Sequence, residues 1–74
     1  MTSKLMAYIE KDIESGLYVG IVPGIPGAHT QAKTLKETYE KLQEVLQLCL
    51  EEMDSEDIKN LPEFIGVQQI EIAV

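Results

Sequence analysis

The sequence predicts a small α+β domain of order β-β-β-α-β, with a three- to four-stranded sheet carrying one long helix on one face. Three observations predict it. Apolar and polar residues alternate near both ends of the chain. A helical-period apolar stripe runs from Leu35 to Met53. A Pro-Gly-rich segment, Pro23-Gly24-Ile25-Pro26-Gly27, separates the first two strands from the third strand and the helix.

Residues 4–11 alternate, with Leu5, Ala7 and Ile9 on one side and Met6, Tyr8 and Glu10 on the other, which predicts a first strand. Residues 12–16 carry turn chemistry, ending on Gly16, which is free to take a positive φ. Residues 17–22 are rich in β-branched and aromatic types and form the second strand of an antiparallel hairpin. The two prolines and two glycines of 23–27 then stop any regular strand. Residues 28–32 give a short third strand. Thr34 and Glu37 read as a capping box that opens a helix. Leu35, Tyr39, Leu42, Leu46, Cys49 and Met53 come next at spacings of four, three, four, three and four, one face of a helix of about five turns. Residues 54–64 read as a polar loop with room for one helical turn after Ser55. Residues 67–74 alternate again, placing Gln68, Ile70, Ile72 and Val74 on one side of a last strand. A right-handed crossover would return it parallel to the third.

Seventy-four residues make a single domain, residues 1–74, and such a chain buries only about 60% of its unfolded surface. Function is therefore expected on a surface and not in a deep cleft. Thirteen acidic residues face six basic ones, all lysine, for a net charge of −7. Direct nucleic-acid binding needs a basic patch and commonly arginine, so none is expected of this chain alone. The charge suits a basic protein partner. One cysteine, Cys49, cannot staple its own chain. No apolar run resembles a signal peptide or membrane span, so the expected setting is soluble and cytoplasmic.

Catalytic readings lack their partners. Glu10 and Asp12 share strand parity, and Glu51 and Glu52 end the helix, but no set of carboxylates converges as a metal site requires. His29 is the single histidine, without the thiols or serine motif of a zinc site or triad. Cys49 lies on the apolar helix stripe and is expected to pack. The Pro-Gly segment lies seven residues ahead of the helix, too far for a phosphate cradle. No metal and no cofactor is expected. Leu48 stands apart, about 120° around the helix from Leu42. With Glu40, Glu44 and Glu51 it makes a candidate partner-binding face. A single helix covers one face of the sheet, so Met6, Tyr8, Tyr18 and Val22 are expected on the other, as the face of a dimer or tetramer.

The run Tyr8-Ile9-Glu10, Gly16-Leu17-Tyr18, Pro23-Gly24-Ile25-Pro26-Gly27, Thr30-Gln31 and Thr34-Leu35-Lys36-Glu37, leading into Leu42, Leu46 and Leu50, resembles the HicB-like antitoxin family, formerly grouped as uncharacterised proteins. The likeness spans about residues 5 to 53. It implies a partial RNase H-like fold and a role in a toxin–antitoxin system: neutralising, by steric occlusion, a small basic HicA-like mRNA interferase that carries its own catalytic histidine. Longer HicB proteins add a DNA-binding segment, and this chain resembles a short member without it. Ala28 stands where the family commonly has Cys, Ala32-Lys33 where it favours Gly-Asp, and Thr38 where it favours Ala.

Two other readings compete: a homo-oligomeric structural or regulatory protein without a toxin, and a hydrolase that keeps remnants of nuclease chemistry. The residues argue against an enzyme. Ribonuclease assays with magnesium or manganese should therefore stay flat, and activity abolished by replacing Glu10 or Asp12 would overturn this expectation.

Overall fold

A computed structural model describes residues 5–73. Three strands, β1 (Tyr8–Lys11), β2 (Tyr18–Ile21) and β3 (His29–Ala32), precede α1 (Leu35–Glu52) and a short α2 (Ser55–Lys59). The sheet order is β1-β2-β3, antiparallel throughout, with Ile9 opposite Gly20 and Gly20 opposite Thr30. The α+β class and the β-β-β-α order are those the sequence predicts.

Local chemistry makes both turns. The Asp12 carboxylate accepts from the Ser15 amide at 3.1 Å, and Gly16 turns the chain at φ 74°. Leu17 then accepts from the Asp12 amide at 2.8 Å, so the hairpin closes. In the second turn Gly24 and Gly27 take φ 86° and 80°. Between them the chain folds back on itself: the Val22 amide donates to Ala28 and the Ala28 amide to Ile25. This drives Ile25 inward, where it joins Val22, Ala28 and Leu42 in the buried core.

The helix begins as read, with the Thr34 hydroxyl accepting from the Glu37 amide at 3.1 Å. This is one half of the expected capping box. The reciprocal box occurs instead at α2, between Asp54 and Asp57.

The buried stripe of α1 is rotated from the predicted one. Thr38 and Leu42 are its fully buried members, with Leu46, Cys49 and Met53 half-buried behind them. Leu35 and Tyr39, expected in the core, are 57% and 63% exposed. Geometry supplies the reason. Eighteen helical residues span about 27 Å, whereas four strand residues span about 13 Å. The helix lies across β2 and β3, and in its first turn Thr38 faces Gly20, while Leu35 and Tyr39, about 60° and 100° around the helix from Thr38, reach past the small sheet.

At the crossing, a Cβ on Gly20 would lie 3.1 Å from Thr38 Cγ2 and 3.2 Å from both Leu42 Cδ2 and Ile9 Cδ1. Only a hydrogen fits there without displacement. Thr38 is 0% exposed, and its hydroxyl donates to the Thr34 carbonyl at 2.8 Å and lies 3.4 Å from the Tyr18 carbonyl. The buried oxygen is thus satisfied.

The expected fourth strand is not formed. Residues 67–73 carry no regular structure, and Val74 lies outside the described residues. After Leu61 the chain crosses Gly24, where a Cβ would meet the Pro62 ring at 2.6 Å. It then runs outward, and Ile65, Val67, Ile70 and Ile72 are 76–86% exposed. Alternation equips a segment to be a strand but does not supply an edge to pair with. The radius of gyration, 14.2 Å, exceeds the roughly 11 Å of a compact chain of this length.

The rotated stripe is testable by denaturant unfolding. Leu42→Ala should destabilise by about 2–5 kcal/mol as a buried large-to-small change. Leu35→Ala and Tyr39→Ala should each stay within about 0.5 kcal/mol, as exposed positions do. Equal losses at all three sites would restore the predicted stripe.

Candidate protein-interaction surface

The outward face of α1 is acidic. Glu40, Glu44 and Glu51 are exposed, and they lie within about 40° of one another around the helix. Leu48 is 63% exposed and is the i+4 neighbour of Glu44 and the i−3 neighbour of Glu51, which places it beside both. No described part of the chain after α1 covers it. The four helix residues singled out from the sequence therefore share one solvent-facing surface, bordered by Lys41.

The charge continues past the helix end. Five of the seven residues from 51 to 57 are carboxylates: Glu51, Glu52, Asp54, Glu56 and Asp57. The last turn of α1 has no basic residue, so Glu51 and Glu52 sit at the negative pole of the helix dipole, which disfavours them. Asp54 and Asp57 have a local task, closing α2 by mutual capping: the Asp57 amide donates to Asp54 at 2.8 Å and the Asp54 amide to Asp57 at 3.4 Å. Sequence reasoning misses this extension of the acidic surface into α2. Its signal is the Asp-x-x-Asp spacing after Met53, the same kind of spacing that opens α1 at Thr34.

The four residues expected on the outer sheet face do not share it. Gly20 points at the helix, so Ile9, its cross-strand partner, points there too, and Tyr8 and Ile21 point away. Val22 is 4% exposed and belongs to the core. Tyr18 has the same parity as Gly20, is half-buried, and has Lys11 Nζ 5.5 Å from its ring centroid. Met6 and Tyr8 are exposed as expected. The outer face is built by Tyr8, Glu10, Val19, Ile21, His29 and Gln31. A one-residue difference in pairing register exchanges the two faces of a strand, and the sequence does not print the register.

Beside that face, a groove of about 310 Å³ lies between the start of the chain and residues 61–66, with Leu5, Met6, Val22, Ile25, Leu61 and Phe64 among its walls. Its lining is mostly apolar, with Tyr8 and Glu63 as its titratable members. Among the described residues no three His, Cys, Asp or Glu side chains gather as a metal site would need. His29 is exposed on β3 and Cys49 is a half-buried free thiol. The Asp12 carboxyl is held below its ordinary value by the Ser15 hydroxyl and amide, an effect of the turn. Among the described residues no helix is long and apolar enough to cross a membrane.

The chain matches no protein-family model and no solved structure. It is similar to four curated proteins, each named a UPF0150 protein. The one from Archaeoglobus fulgidus is 49% identical over 70 residues, covering 93% of this chain and 94% of the relative. The one from Thermotoga maritima is 47% identical over 66 residues, covering 89% and 85%. One from Synechocystis is 39% identical over 62 residues, covering 84% of each.

Two carboxylates at a helix C-terminus cost stability. The double change Glu51→Gln and Glu52→Gln should raise unfolding stability by about 0.3–1 kcal/mol at low ionic strength, a gain that fades in high salt. Thermal melts at two salt concentrations check this. A loss of stability would mean that these side chains make contacts within the fold.

Proposed function

The chain belongs to the UPF0150 family, and from that premise we propose that it is a HicB-like antitoxin module that binds and neutralises a small basic HicA-like ribonuclease. The observation that carries the proposal is the acidic face of α1. Glu40, Glu44 and Glu51 line one side of the helix with the exposed Leu48 at their flank, and the negative charge runs on into α2. Glu40 and Glu44 face solvent, and the charges of Glu51 and Glu52 at the C-terminal end of α1 oppose the fold. Carboxylates kept at a stability cost suit a surface used for recognition.

The mechanism is steric and electrostatic. A net charge of −7 without arginine draws a basic partner over about a Debye length, ~8 Å at physiological salt. Leu48 supplies an apolar contact beside Glu44 and Glu51, where desolvation strengthens the neighbouring ion pairs. Seating α1 against the toxin's RNA-binding groove blocks the RNA and the toxin's histidine. The chain contributes no catalytic group of its own. The motifs that resemble HicB, from Tyr8-Ile9-Glu10 to Thr34-Leu35-Lys36-Glu37, build the sheet, the turns and the helix start that present this face.

A second reading, a homo-oligomeric structural or regulatory protein without a toxin, draws on a different observation: Tyr8 and Ile21 are exposed on the outer sheet face. The two readings separate experimentally. If a small basic protein is encoded beside this gene, co-expression with it should yield a complex. In that complex Glu40→Lys with Glu44→Lys should lower the association rate at least about tenfold at low salt, leave dissociation little changed and leave folding intact. Stopped-flow or biosensor kinetics across a salt series measure this. No complex, or one indifferent to salt and to the charge reversal, would leave the homo-oligomer reading.

A further inference from the structure

We infer that residues 67–73 form an exchange arm: in a two-fold dimer, each copy lays this segment along the β1 edge of the other as an added strand. Both halves of the contact are present in one chain, which is what makes a second copy the fitting occupant. The donor is β-prone, carries no regular structure and pairs with no strand among the described residues. The acceptor is β1, an edge strand whose outer side is unpaired among the described residues. Free edges of this kind are templates for strand addition.

Length, chemistry and charge agree. The arm has seven described residues, and so has the stretch 5–11 that ends in β1; as strands each would span about 23 Å. Ile9 points toward the helix side of the sheet, yet it is 42% exposed, because α1 lies over β2 and β3 and leaves this flank open. Ile70 and Ile72 share one parity, so a strand added here can set both against Ile9 and Ala7 while Gln69 and Glu71 face the other side. From Phe64 to the last residue the chain carries one charged side chain, Glu71. Two copies of an acidic protein repel least where they meet through this segment.

The route also fits. Residues 61–66 line the groove beside Leu5, Met6 and Tyr8, so the arm departs next to the start of β1. In the single chain it then runs into solvent. A two-fold exchange returns each arm to the equivalent edge, and the same patch serves on both copies, which closes the assembly at two. This contact lies away from the acidic face of α1. It is read with no partner present, so its failure and that of the antitoxin proposal are separate results.

The test is sedimentation velocity on the full chain across a concentration series, with amide exchange on the same samples. The wild type should dimerise, with exchange of residues 67–73 slowed as concentration rises. Ile70→Lys with Ile72→Lys should weaken dimerisation at least about 30-fold with an unchanged circular dichroism spectrum. Ile70→Val with Ile72→Val should remain dimeric. A wild type monomeric at every concentration would overturn the inference, as would a lysine variant that stays dimeric. Arm protection independent of dilution, meaning an arm paired with its own sheet, would overturn it equally.

Discussion

The close approach of α1 to β2 at Gly20 is the constraint on which the rest of the architecture depends. Thr38 and Leu42 rest where a side chain on residue 20 would otherwise stand. Glycine costs backbone entropy in a strand, and here it sets how near the helix lies. Small residues continue the seat around β3, where Ala28 and Ala32 are both buried. The Thr38 hydroxyl reaches the carbonyl of Thr34 and lies near that of Tyr18, so the same residue that fills the space also ties the helix start to β2. Thr38 stands where the resembled family favours alanine, and a buried hydroxyl is tolerable there because both acceptors are within reach.

Features decided by a few neighbouring residues are legible in the sequence. The hairpin turn, the Pro-Gly corner and the start of α1 depend on local side chains and glycine dihedrals, and each stands where the pattern predicts it. Features that depend on partners distant in sequence are not. Leu35 and Tyr39 keep helical spacing but extend beyond a sheet whose strands are only four residues long. Alternation alone assigns Val22 and Tyr18 to the wrong side, because parity needs the cross-strand register. Residues 67–73 alternate as a strand should, yet the edge that would receive them is not encoded in that stretch. Of the candidate site, the helix face is legible, since one helix determines it alone, whereas the outer sheet face takes three strands to define.

The surface divides by chemistry. Negative charge is concentrated on the outer side of α1 and around α2, with Leu35, Tyr39, Leu48 and Ile58 exposed among it, and further exposed apolar side chains gather on the outer sheet face, the β1 edge and the arm. Contacts made by the first region are long-ranged, fast to form and weakened by salt. Contacts made by the second are short-ranged and persist in salt.

The thinness of the core has a thermal consequence. The buried apolar cluster comprises Val22, Ile25, Ala28 and Leu42, a small share of the chain. Heat capacity rises on unfolding in proportion to the apolar surface newly hydrated, and that increment sets the curvature of stability with temperature. The isolated chain should therefore have a shallow stability curve, modest at its maximum and slow to change on either side. Hydrophobic stabilisation that strengthens steeply on warming from the cold belongs to thicker folds; here most of the apolar surface able to supply it lies on the outside.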